Sequence, residues 1–276
     1  MVEKKNPAVR ILKYVLLICL TVITLIPLLW MLSASLKLDS EVFSIPIRWI
    51  PENPQWSNYV KIWSKIPLST FTFNTIKLTV IITIIQVLTS SFAAYGFAKC
   101  TFKGRDILFL CYVATMAIPW QVYMLPQYSM MNQMHLVDTH IGYILMQSFS
   151  AFGVFLMRQF FISIPNELLE AARIDGMTEY GIFAKIALPL SKSSISTLVI
   201  FTFVTIWNDY MGPMIYFNTE TKKTLQLGIK MFIGQYATEY GLVMAASVLS
   251  LIPVLVIFLL GQKQFVQGIA SSGIKG

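Results

Sequence analysis

Six apolar runs dictate what this chain can fold into, because each is long enough to cross a lipid bilayer as a helix. A hydrocarbon core about 30 Å thick takes about 20 apolar residues of helix. The runs at 13–35, 71–97, 107–131, 140–162, 193–217 and 239–262 meet that length. Within lipid each backbone N–H and C=O must find its partner inside the segment, so these runs predict helices rather than open strands. Of the 276 residues 56% are hydrophobic and only 12% charged, against about 25% charged in an ordinary soluble domain. So few charges cannot coat a globule of this length, and lipid must cover much of the surface. The fold class is therefore all-α, a polytopic integral membrane protein with six transmembrane helices in one domain over 1–276. No Gly/Ser linker, low-complexity tract or repeat divides it. Pro27, Pro119, Pro126, Pro213 and Pro253 fall inside the runs and predict kinks, which lipid tolerates where neighbours re-satisfy the freed carbonyls.

The net charge of +8 would suggest a nucleic-acid partner in a soluble protein. Its distribution here points to membrane topology instead, and no nucleic acid is expected. Thirteen Lys and Arg residues flank the runs on the side of the N-terminus and seven lie on the opposite side, with Lys77 inside a run. That bias predicts a multi-pass protein of a prokaryotic plasma (inner) membrane with both termini in the cytoplasm. The basic start and first run, ending Ser33-Ala34-Ser35, also resemble a cleavable signal peptide. The apolar core exceeds the usual length of about 7–15 residues and carries Pro27 and Trp30, which favours an uncleaved first span. Cys19, Cys100 and Cys111 have no metal spacing and read as small packing residues. His135 and His140 share a short polar loop. This inventory yields no nucleophile–base pair and no metal set, so no catalytic residue and no enzyme activity are expected.

Residues 163–192 form a polar island between the fourth and fifth runs. Pro165 suits a first helical turn, and Gly176 suits the residue just past a helix end. Between them Leu168, Leu169 and Ala172 recur at helical spacing. Thr178 can cap a second helix running through Phe183, Ile186 and Ala187 until Pro189 stops it. Two short helices joined by a glycine turn would make a knob, with Ala171 and Ala172 thinning its face and Glu170 and Asp175 offering carboxylates to a cationic partner. The other reading is an amphipathic helix resting on the bilayer. Such helices display Lys and Arg, whereas this one carries Glu167, Glu170, Asp175 and Glu179, and acidic charge beside an anionic leaflet is unfavourable.

The segment Glu170-Ala171-Ala172, Gly176 and Leu188-Pro189 resembles the EAA loop of the membrane subunits of ABC importers. Ala94-Tyr95-Gly96-Phe97-Ala98 followed by Phe102-Lys103-Gly104-Arg105 resembles a turn of the carbohydrate permeases of that class. Trp207-Asn208-Asp209-Tyr210 is similar to their WN(D/E)F segment, and Gln264–Gly268 with Gly273–Gly276 to their tail. The resemblance covers nearly the whole chain and places it among carbohydrate-type ABC importer permeases, the maltose-transporter type; Ser271-Ser272 departs from the family's tail.

That resemblance implies a heteromeric cell-membrane complex for sugar import. Its parts would be a second homologous permease subunit, a dimeric ABC ATPase and an extracellular or periplasmic sugar-binding protein, all around a sugar substrate and membrane lipid. It implies that Glu170, Ala171, Ala172, Asp175 and Gly176 form the cytoplasmic coupling helix that docks on the ATPase. Lys275 and Gly276 would reach the ATPase dimer, or would be a frayed end. This chain would bind no cofactor. ATP and Mg would sit on the partner ATPase, and the sequence holds no G-x-x-x-x-G-K-[ST] phosphate loop.

For the sugar pathway the candidates are Trp120, Gln121 and Tyr123 in the third run and Trp207, Asn208, Asp209 and Tyr210 in the fifth. Aromatic faces and paired hydrogen bonds grip sugars, but Trp and Tyr near span ends also form interfacial belts. An intramembrane acid such as Asp209 faces a cavity or a partner helix, and both roles stay open. Residues 36–70 and 218–238 would meet the binding protein or rest on the membrane. Two rival functions remain. An ion-coupled secondary transporter would show paired ionisable groups in corresponding halves; a non-transporting scaffold would use the same knob without moving solute.

Overall fold

The computed structural model describes the backbone of residues 7–234 and 238–273 and the side chains of 8–234 and 238–263. Lys275 and Gly276, expected at the ATPase, lie outside the described residues. Helices dominate: α1 (Pro7–Ser35), α2 (Asp39–Val42), α3 (Ser57–Lys65), α4 (Leu68–Lys99), α5 (Arg105–Ala114), α6 (Trp120–Gln133), α7 (His140–Met146), α8 (Ala151–Ser163), α9 (Asn166–Ile174), α10 (Glu179–Ile182), α11 (Leu188–Leu190), α12 (Lys192–Trp207), α13 (Met211–Tyr216), α14 (Leu225–Met231) and α15 (Tyr240–Gly273). Among the described residues the only β pairing is an isolated bridge, Ile233 to Thr238.

Three helices, α1, α4 and α15, are long and apolar enough to span a bilayer unbroken. Of the other three apolar runs, two are bent pairs, α5 with its 3₁₀ extension against α6 at 101° and α7 against α8 at 46°; the third begins as α12, which meets the preceding loop helix Glu179–Leu190 at 79° and ends before α13. The prolines act unequally. Pro27, Pro126 and Pro253 lie inside continuous helices, whereas Pro119 forces Ile118 into an extended conformation and starts α6 afresh. Pro213 sits in the first turn of α13, where a missing N–H breaks no bond. Pro189 does not stop the loop's second helix. A π-helical turn over Phe183–Ala187 leads into α11, where Pro189 again falls near a start, and the bend waits until Ser191.

Contacts cluster into two compact units, 1–68 with 228–252 and 69–227 with 253–276. In the first, α1 exposes its apolar side chains along most of its length, up to the buried Ser33–Ser35 end, a surface that only lipid or protein can cover. Past its end, buried Asn58 donates to the carbonyls of Ser35 and Lys37 at 3.0 Å each, and Asp39 accepts from the N–H of Gly241 at 2.8 Å. Lys65 pairs with Glu239. These polar ties hold the 36–67 segment as structure in its own right.

The second unit is organised by α4. Thr75, Thr79, Thr83, Gln86 and Ser90 recur three or four residues apart and are buried, so one face of an otherwise apolar helix is polar. Opposite Ser90 stands Gly153 of α8. A methyl group there would lie 2.4 Å from the Ser90 hydroxyl, so small residues set the approach of these two helices. Of the three cysteines Cys100 packs, half-buried, against the cluster that holds Tyr95 and Phe161, whereas Cys19 and Cys111 are exposed rather than packed.

Candidate functional site

The loop between α8 and α12 folds as two short helices around a turn. Gly176 holds the turn with φ of +79°, a region that costs L side chains about 1–2 kcal/mol. The N–H groups of Gly176 and Met177 close α9 on the carbonyls of Arg173 and Ala172 at 3.0 Å each. Thr178 caps the next helix by accepting from the Gly181 N–H at 3.2 Å. Leu169 and Ala172 are buried in a cluster with Ala94 and Tyr95 of α4, Val154, Met157 and Phe161 of α8, and Leu198 of α12. Ala172 therefore faces the helix bundle rather than the exposed side of the loop. Glu170, Ala171, Asp175 and Gly176 are exposed, joined by Ile174 at 86% and Tyr180 at 73%.

Polar clamps fix the loop to the bundle. Lys99, ending α4, donates to the Ile164 carbonyl at 2.6 Å and to Asn166 at 2.8 Å. Glu179 accepts from Arg173 at 2.7 Å and from the Tyr95 hydroxyl at 3.1 Å, and that hydrogen bond holds the Arg173 guanidinium above its ordinary range. Arg158 donates to the Phe97 carbonyl and to Asp106, both at 3.2 Å, with its guanidinium 3.9 Å from the centre of the Phe109 ring. Sequence reasoning picked Tyr95 and Glu179 from motif and charge alone; it gave no sign that they touch.

The other end of α8 and α12 borders a cavity of about 420 Å³ lined by Trp120, Gln121, Tyr123, Gln127, Tyr143, Met146, Gln147, Phe149, Thr205, Asp209, Met211, Gly212 and Tyr216. Four of the seven sequence candidates meet here: Trp120, Gln121, Tyr123 and Asp209. The other three diverge, because α12 ends inside their motif. Trp207 is buried, its ring stacked 5.6 Å from Phe203. Asn208 turns back to the Val204 carbonyl at 2.9 Å, and Tyr210 is absent from the lining. Asp209 stands in the break between α12 and α13 rather than inside a helix. One of its oxygens accepts from the Tyr143 hydroxyl at 2.5 Å, the other from the Gly212 N–H at 3.1 Å. It thus ties two elements together and lines the cavity at once.

The break between α7 and α8 is a second such feature. Gln86 donates to the Gln147 carbonyl at 2.6 Å and Thr89 to the Ser148 carbonyl at 2.8 Å, while Thr202 of α12 donates to Gln86 at 3.2 Å. Carbonyls freed by a broken helix in lipid need such partners. An adjoining cavity of about 410 Å³ shares Gln147, Phe149 and Thr205 with the first. The polar face of α4, readable at a spacing of three and four, was the available signal for this break. At one end of α7, Asp138 accepts from Thr219, Asn218 and Lys222. Burial pushes its carboxyl up, but those hydrogen bonds outweigh it and hold the pKa at about 2.

Residues 86–271 match the family described as the binding-protein-dependent transport system inner membrane component. The arabinooligosaccharides transport system permease protein AraQ of Halalkalibacterium halodurans is 32% identical over 92% of this chain and 92% of its own. The sn-glycerol-3-phosphate transport system permease protein UgpE of Yersinia enterocolitica is 33% identical over 94% of this chain and 95% of its own. A crystal structure of a bacterial ABC transporter involved in the import of the acidic polysaccharide alginate aligns with a TM-score of 0.82 at 26% identity, covering 96% of this chain and 99% of that one.

Proposed function

This chain belongs to the binding-protein-dependent transport system inner membrane component family, and from that premise we propose that it is the permease subunit of an ATP-driven sugar importer. One observation carries the mechanism. The loop helices and the cavity are joined by the same two rods, α8 and α12, of 13 and 16 residues, or about 20 and 24 Å. The loop is packed and clamped to the bundle, so a pull on it moves α8 and α12 as one body. Thr205 in the last turn of α12, and Phe149 two residues ahead of α8, line the cavity. A dimeric ATPase that grips the loop and closes on ATP would thereby change access to the cavity, because ATP favours one of two global states.

The exposed face of Glu170, Ala171, Ile174, Asp175 and Tyr180 is the surface offered to that ATPase, with Gly176 shaping it. The loop and both termini lie in the cytoplasm on this reading. A second permease completes the pathway, and a sugar-binding protein delivers substrate to the outer mouth. Nucleotide chemistry belongs to the partner. The family's dependence on a binding protein and the acidic exposed loop face support this assembly.

Reconstituted complexes in proteoliposomes test it. Glu170→Arg reverses the charge at the centre of the docking face and is expected to cut ATP-driven uptake of the sugar carried by the binding protein about tenfold or more, in line with the cost of mispairing an interfacial charge. Hydrolysis by the isolated ATPase should persist. Uptake at the wild-type rate would remove the loop from the mechanism.

A further inference from the structure

The cavity at Asp209 carries its own information about charge. Among the described residues its lining holds one carboxylate, Asp209, and no Lys, Arg or His. The carboxylate is pinned by the Tyr143 hydroxyl at 2.5 Å and the Gly212 N–H at 3.1 Å, so that each of its oxygens accepts a hydrogen bond. Around it Gln121, Gln127, Gln147 and Thr205 offer neutral donors and acceptors, and Trp120 and Tyr123 offer flat faces. Hydroxyl groups and C–H faces of a sugar find partners there. On this chain's part of the lining a second negative charge finds none.

We propose that this cavity admits uncharged oligosaccharides and turns away acidic ones such as uronate chains or sugar phosphates, an inference that rests on the cavity being the sugar path. Two like charges about 6 Å apart at an effective dielectric of about 20 repel enough to lower affinity on the order of a hundredfold. A buried anion without a paired cation adds its desolvation to that. Sequence similarity does not separate the two classes, since relatives named for an uncharged and for an anionic cargo match at nearly equal identity. The lining does.

The assembled importer in lipid nanodiscs, without nucleotide, would be titrated with malto-, arabino- and galacto-trisaccharides and with an alginate trisaccharide. The readout is the part of the tryptophan fluorescence that Trp120→Phe abolishes. At least one neutral trisaccharide is expected to bind on the order of a hundredfold more tightly than the acidic one, with the ratio falling at least about tenfold in Asp209→Asn and narrowing as salt screens the charge. Should Asp209→Asn not assemble, the wild-type ratio and its salt dependence decide alone. Equal or tighter binding of the alginate trisaccharide would overturn the charge inference and leave the sugar path standing. No response of the Trp120 signal to any of the sugars would overturn both.

Discussion

Replacing Gly176 with valine is expected to reduce ATP-driven uptake about tenfold or more while the protein still inserts in the membrane. The residue has φ of +79°, and no atom beyond its chain neighbours lies within 4 Å of where a Cβ would stand. The cost is therefore strain in the backbone rather than a clash. A β-branched residue there is an outlier, and about 1–2 kcal/mol is enough to shift the turn's population about tenfold. Relief by rotating the turn would break the hydrogen bonds of Gly176 and Met177 to the end of α9 and swing Ile174 and Asp175 away from the exposed face proposed to meet the ATPase. Because asparagine tolerates the left-handed region, Gly176→Asn should keep most of the uptake, with Gly176→Ala between it and valine. Equal uptake across the series would show that the turn's geometry does not matter to coupling.

Gly212→Ala should be the most damaging single methyl in the cavity wall. Its Cβ would lie 2.5 Å from the Asp209 carboxylate and 3.0 Å from the ring of Tyr143. Neither neighbour can yield without breaking the hydrogen bond between them. Loss of a hydrogen bond to a charged group, together with overpacking, is expected to cost about 3 kcal/mol of stability, read as a lower thermal midpoint of the purified complex. A double-mutant cycle identifies the cause. In a Tyr143→Phe background the carboxylate is free to turn aside, so Gly212→Ala should cost at least about 1 kcal/mol less than in wild type. An additive pair of effects would mean that the carboxylate and the hydroxyl do not act together.

Length and hydropathy located all the apolar runs, and Pro165 and Gly176 marked the edges of α9 closely. What they could not reveal was where a run breaks. The breaks at Ile118-Pro119, at 147–150 and at 208–210 depend on what stands opposite: Gln86 and Thr89 make the second possible by accepting the role of partner to its freed carbonyls. A hydropathy count does not see across helices. Asp209 was legible because a carboxylate in an apolar run needs a reason to be there. Tyr143 was not, since its hydroxyl looks like any belt tyrosine until Asp209 is placed 2.5 Å away. The segment Trp207-Asn208-Asp209-Tyr210 reads as one motif, yet the end of α12 splits it between core, backbone cap and cavity. The inward setting of Ala172 was hidden for a similar reason: with Leu169 it forms the buried stripe of α9, a phase that two adjacent alanines do not disclose.

The most direct test of the central claim is contact at the loop. With Cys19, Cys100 and Cys111 replaced, Ile174→Cys would be carried into the assembled importer and treated with a short thiol–amine cross-linker. The proposed mechanism predicts an adduct with the ATPase subunit. A position 174 that stays unattached to any nucleotide-hydrolysing chain in an actively transporting complex would contradict it.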